Sequence, residues 1–158
     1  MGAPLSTKLL GAIAYGYGWY RYWSVPEWAA SSNLTLMTLC RIIRDVSKLG
    51  PLPKKLHLQM DNTAKDNKNH YLLGFCTILI AEHVFKEVEV FFLPMGHTHQ
   101  DIDQTFSLIT RRISQHRAYS LPHLMKVVKD AWQDHKYVGA TAKVHLEMKH
   151  ILDFRRLL

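Results

Sequence analysis

The strongest constraint on the fold is a change of hydrophobic period between Leu36 and Asp61. Leu36, Leu39, Cys40, Ile43 and Val46 recur at the three- and four-residue spacing of one helix face. Ser32 or Asn33 can cap the start of that helix, and Gly50 ends it ahead of Pro51 and Pro53. The next run, KKLHLQMD, alternates: Leu56, Leu58 and Met60 point one way, and His57, Gln59 and Asp61 the other, as in a half-buried strand. The switch then repeats. HYLLGFCTILIAEHVF, from His70, is apolar nearly all round and is expected to form a helix buried on every side. VEVFFLP reads as a strand ended by Pro94. DIDQTFSLITRRISQH reads as a helix with Ile102, Phe106, Ile109 and Ile113 on one stripe.

Upstream, LLGAIAYG and WYRYWSV flank Gly16 and Gly18, a hairpin signal; the aromatic run is read as a core-facing strand rather than a base-stacking platform. Downstream, a helix starts near Ser120 with Pro122 in its first turn, and AKVHLEMK alternates as a strand. Strands that alternate with helices imply an α/β chain with a partly parallel sheet flanked by helices. Sites in such sheets form beyond the carboxyl ends of the strands. Asp61 ends one strand, and GHTHQDID, from Gly96 to Asp103, follows the next.

At 158 residues the chain is one domain's worth of core. Its formal charge of +7 favours nucleic acid or an anionic surface as partner. Cys40 and Cys76 each sit in an apolar run, which suits reduced thiols of an intracellular protein and no disulfide framework. No apolar run reaches the roughly 18 residues of a membrane span, and no secretory leader opens the chain.

GHTHQDID is dense in metal-binding side chains. Two divalent ions about 3.5–4 Å apart can activate one oxygen and stabilise another at a phosphate, and hard ions require carboxylates from separate elements. Asp61 at a strand end and Asp103 in a first helical turn are the candidate ligands. His97 and His99 can orient phosphate or move protons. Each residue also has a plain structural reading: Asp101 as a helix cap, Asp61-Asn62 as a turn. His-x-His-x-Asp resembles a zinc cluster of metallo-β-lactamase-type hydrolases, and Gly-His-Thr-His resembles a motif of calcineurin-like phosphoesterases. The partner motifs of both are missing from this chain.

SSNLTLMTLCRII, LPKKLHLQMDNTAKDNKNHYLLGF, FKEVEVFFLPMGHTHQDIDQTFSLI and ILDF together resemble a transposon-derived eukaryotic domain family, generally read as RNase H-like and akin to DDE transposases and retroviral-type integrases. The motifs that carry the resemblance are Asp-Asn-x4-Asn-Lys-Asn and Gly-His-Thr-His-x-Asp-x-Asp. It implies a single RNase H-like domain over residues 1–158 whose mixed sheet is flanked by helices. Asp61 matches the second acid of the DDE site, and Asp103 the third, with Asp in place of the usual Glu. Asn62, Asn67, Asn69, His97, His99 and Asp101 would face phosphate or support the ligands, and Arg111, Arg112 and Arg117 would contact the DNA backbone. The complete domain would use Mg2+ or Mn2+ and act in the nucleus. The first acid, on a central first strand, has no match here. The resemblance therefore implies a partial domain, inactive as a nuclease or DNA phosphodiester transferase. The alternative is a non-catalytic domesticated domain that binds nucleic acid or protein.

Overall fold

The computed structural model describes residues 7–24, 32–61, 69–93, 101–133 and 142–147. In chain order these form β1 (Lys8–Ala14), β2 (Gly18–Ser24), α1 (Ser32–Ser47), β3 (Lys55–Met60), α2 (His70–Ala81), β4 (Glu87–Phe92), α3 (Asp101–Gln115), α4 (Leu121–Gln133) and β5 (Ala142–Glu147). The hairpin, the alternation of helices and strands, and the final strand all appear where the hydrophobic periods place them. Where the sequence leads one to expect a single mixed sheet, the described residues form two small sheets, ordered β1-β2-β5 and β3-β4.

β1 and β2 pair antiparallel from Lys8↔Ser24 to Ala14↔Gly18, and β5 adds parallel to β2. The hairpin closes through Tyr17 N–H donating to the Ala14 carbonyl at 2.9 Å, with Gly16 at φ +82°, a conformation glycine adopts without a Cβ penalty. Because strand side chains alternate, β1 and β2 present two apolar faces. Leu10, Ala14, Tyr20 and Tyr22 meet Leu34, Ile42 and Val46 of α1. Leu9, Ile13, Trp19 and Trp23 meet Ile102 and Ile109 of α3 and Leu121, Leu124, Val128 and Ala131 of α4. The aromatic run on β2 is thus core: Tyr20 and Tyr22 are fully buried, and Trp19 and Trp23 nearly so.

β3 and β4 are parallel, as a strand-helix-strand crossover through α2 requires. Leu56, Leu58, Met60, Val88, Val90 and Phe92 turn to one face and pack with Leu36, Leu39, Cys40 and Ile43 of α1 and Leu72, Phe75, Cys76 and Leu79 of α2. The other face carries His57, Gln59, Glu87, Glu89 and Phe91. Of these, Phe91 is 51% exposed and stacks on His57 with ring centroids 6.2 Å apart.

Two expectations are corrected here. α1 has two apolar stripes rather than one: Leu34 and Val46 cover the first sheet, while Leu36, Leu39, Cys40 and Ile43 cover the second. Met37 and Leu52 belong to both cores, so α1 straddles the two sheets. α2 is not buried all round. Leu73, Ile78 and Ile80 are exposed because, among the described residues, α2 is covered chiefly by α1 and the β3-β4 sheet. On α3, Ile109 is buried as the stripe requires, whereas Ile113 is 37% exposed near the helix end.

Among the described residues one edge of β1 is unpaired. Every residue of β2 is buried, whereas every residue of β1 is half-buried although helices cover both of its faces. The exposure of β1 therefore runs along its side. Among the described residues β1 pairs only with β2, and β3 only with β4. Edge strands are ordinarily guarded by charge, proline or a bulge. KLLGAIA carries one charge, at its first residue, and no proline.

Candidate functional site

The parallel register sets the site. Met60 of β3 lies opposite Phe92 of β4, and Leu93 N–H donates to the Met60 carbonyl at 3.0 Å, so the ladder continues to the last residue before both strands end. Asp61 leaves that end directly and is exposed. Four of the site residues expected from the sequence, Asn62, Asn67, His97 and His99, lie outside the described residues, as does the side chain of Asp101.

α3 brings Asp103 in by its first turn. Ile102 and Phe106, one turn apart, straddle Gly11 of β1: a Cβ built on Gly11 would meet the Phe106 ring at 2.8 Å and Ile102 Cδ1 at 3.2 Å. Thr105, between them, is buried. With these residues committed to the sheet, Asp103 is half-buried on the flank of the same turn. α3 is thus clamped to β1, the strand with the open edge, and Asp61 ends the strand of the second sheet whose outer side is also unpaired among the described residues.

Sequence reasoning missed a buried cation under α3. Arg21 on β2 is 2% exposed and lies opposite Gly11 in the antiparallel register, so it shares the face that α3 covers. Burial pushes its guanidinium down to about 10. The available signal was an arginine alternating with tryptophans on a strand too apolar to be exposed. On the opposite face, burial raises the Tyr22 phenol, with the Asp45 charge adding to it.

Asn69 has a definite local job. In extended backbone at φ −146° it caps α2, its Oδ1 accepting from Tyr71 N–H at 3.1 Å and Leu72 N–H at 3.2 Å. Its Nδ2 donates to Ser32 Oγ at 2.8 Å, tying the start of α2 to the start of α1. Ser32, read as a possible cap of its own helix, is the first residue of α1 and serves this tie. Capping accounts for the position of Asn69 without a phosphate. Arg111 and Arg117 are exposed and Arg112 half-buried, at the far end of α3 from Asp103.

Cys40 is half-buried and Cys76 buried, both as free thiols raised by burial. No helix among the described residues is long and apolar enough to cross a membrane. Residues 2–158 match the sequence model of DUF7869, a domain of unknown function. No curated protein and no solved structure matches the chain.

Proposed function

The chain belongs to the DUF7869 family, and we propose that it carries part of an RNase H-like phosphodiester site of the transposase and integrase kind. Asp61 and Asp103 are the carboxylates it supplies, and DNA is the substrate. The observation that carries this reading is the parallel β3-β4 pair. It brings β3 to a close before Asp61 and β4 before Leu93 at the same end of one sheet. Ligands in open α/β sheets are bound at that end. The open edges of β1 and β3 under a shared α1 give further support. One more strand between them would join the two sheets into one mixed sheet, and such a strand is where an RNase H-like domain keeps its first acid.

The donor set fits a single hard divalent ion, Mg2+ or Mn2+, which one or two carboxylates and water can hold. It does not fit a two-ion centre: among the described residues no three His, Cys, Asp or Glu side chains come together. Phosphodiester chemistry requires a third carboxylate, and the resemblance gives the first acid no match in this chain, so the chain as it stands is proposed to be inactive and no hydrolytic step is assigned to it. The same shortfall favours the second reading, a domesticated domain of the nucleus that binds nucleic acid or protein without cutting.

Plasmid nicking in Mg2+ or Mn2+ separates the two. The chain alone is expected to leave supercoiled DNA intact. A version extended by a strand that ends in Asp is expected to nick it, with activity lost in Asp61→Asn and in Asp103→Asn. Nicking that survives both substitutions, or never appears, removes the catalytic reading.

A further inference from the structure

We infer that the closed end of the α3-α4 hairpin is a docking surface for a nucleic-acid strand with unpaired bases. The sequence from Thr105 to Lys129 contains no Asp or Glu, yet it holds Arg111, Arg112, Arg117, Lys126 and Lys129, with His116 and His123. Folding concentrates most of this charge at one place. α3 and α4 pack against each other through Ile109, Leu121, Leu124 and Val128 and are joined by the short connection His116–Ser120. A connection that short makes the helices antiparallel neighbours, so the last turn of α3 and the first turns of α4 share one end.

The connection is held at both sides. His116 N–H donates to the Ile113 carbonyl at 3.2 Å, and its ring Nδ1 lies 3.0 Å from the Arg112 carbonyl. Ser120 accepts from His123 N–H on its hydroxyl and from Leu124 N–H on its carbonyl. Arg111, Arg117, His123 and Lys126 are exposed there. Two lysines elsewhere are paired: Lys48 with Asp45, and Lys55 with Glu87 and Glu89. None of the ion pairs among the described residues includes a cation of the hairpin end.

A basic cluster without an ion pair among the described residues attracts phosphates, and its worth falls with salt. The choice of an unpaired strand rests on Tyr119. It stands 81% exposed two residues from Arg117, and an exposed aromatic beside arginine is the usual platform for a splayed base. An anionic membrane fits less well. A helix that lies on a bilayer keeps a broad apolar face outward, whereas the apolar faces of α3 and α4 are spent on β1 and β2. The surface requires no metal and lies at the opposite end of α3 from Asp103, so it stands or falls apart from the carboxylate site.

The test is fluorescence anisotropy of the whole chain with a labelled oligodeoxynucleotide, single-stranded and as a duplex, over a salt series, with anionic phosphatidylserine vesicles as a third probe. Arg111→Ala, Arg117→Ala and Lys126→Ala together should weaken strand binding roughly tenfold or more and lower the log-log salt slope by about 2, since each phosphate contact contributes about 0.7. Tyr119→Ala should weaken single-strand binding about five- to a hundredfold at unchanged slope and leave duplex binding unchanged. Circular dichroism confirms that each variant is folded. All titrations are run without divalent ions, so that the outcome is separate from that of the carboxylate site. The inference is overturned if the triple variant keeps both affinity and slope, if Tyr119→Ala binds the strand as tightly as the parent, or if vesicles bind and oligonucleotides do not.

Discussion

Phe106 of α3 sits over Gly11 of β1 so closely that a methyl group on Gly11 would meet its ring at 2.8 Å. That contact holds the helix bearing Asp103 against the sheet. Gly11→Ala is therefore expected to destabilise the fold by about 1–3 kcal/mol through overpacking. Phe106→Leu should relieve much of that cost, giving a coupling of at least about 0.5 kcal/mol in a double-mutant cycle measured by urea unfolding. Additive costs would show that the helix does not rest on this strand.

Asn69 links two helix starts. Replacing it with alanine removes the cap of α2 and the donor to Ser32 Oγ. The cap alone is worth about 1 kcal/mol. Asn69→Asp keeps the acceptor for Tyr71 and Leu72 but loses the Nδ2 donor, so its cost should be the smaller of the two. Equal stability of the three proteins in chemical denaturation would remove Asn69 from this role.

On the exposed face of β3 and β4, Lys55 and Glu89 form an ion pair. The Glu89 carboxylate is held below the usual carboxylate range, first by its hydrogen bond from Lys55 and then by the charges of Lys55 and His57. A depressed folded-state carboxyl contributes stability above its unfolded value, and that contribution disappears as pH falls through the lower folded value. Lys55 is raised, chiefly by Glu89, so its contribution is present below the unfolded value and is lost as pH rises through the folded one. Carboxyl-detected NMR titration should find Glu89 low in the parent and shifted up towards its ordinary value in Lys55→Met. An unchanged Glu89 would contradict the pairing.

Tyr20 is fully buried, and its hydroxyl meets no hydrogen-bond partner among the described residues. Removing an unsatisfied buried hydroxyl while keeping the ring avoids a desolvation cost. Tyr20→Phe is accordingly expected to be neutral or stabilising by up to about 1 kcal/mol in thermal and urea unfolding. A loss of more than about 1 kcal/mol would mean that the hydroxyl is satisfied after all.

Periodicity carried the element order because Leu56-His57-Leu58-Gln59-Met60 and the Leu36–Ile43 stripe each match one geometry and not the other. Pairing between strands was less legible. Nothing local in KLLGAIA or KLHLQM states whether those strands are neighbours, and among the described residues they lie in two sheets bridged by α1 and Leu52. The exposed residues of α2 were misread for a similar reason: an all-apolar helix implies full cover only if neighbours exist on every side. At the candidate site, what was legible was position: Asp61 directly after a strand and Asp103 in the first turn of a helix. The burial of Arg21 and the clamp at Gly11 depend on which helix crosses which strand, and a linear pattern does not encode that.

The account rests on Asp61 and Asp103 sharing one divalent ion, and Mn2+-induced broadening of backbone amide resonances in the whole chain tests it directly. The account predicts that sub-stoichiometric Mn2+ broadens the amides around Asp61 and those of the first turn of α3 together, and that either Asp61→Asn or Asp103→Asn relieves both sets. Broadening confined to one of the two places, or centred on Glu87 and Glu89 and indifferent to the substitutions, would contradict it.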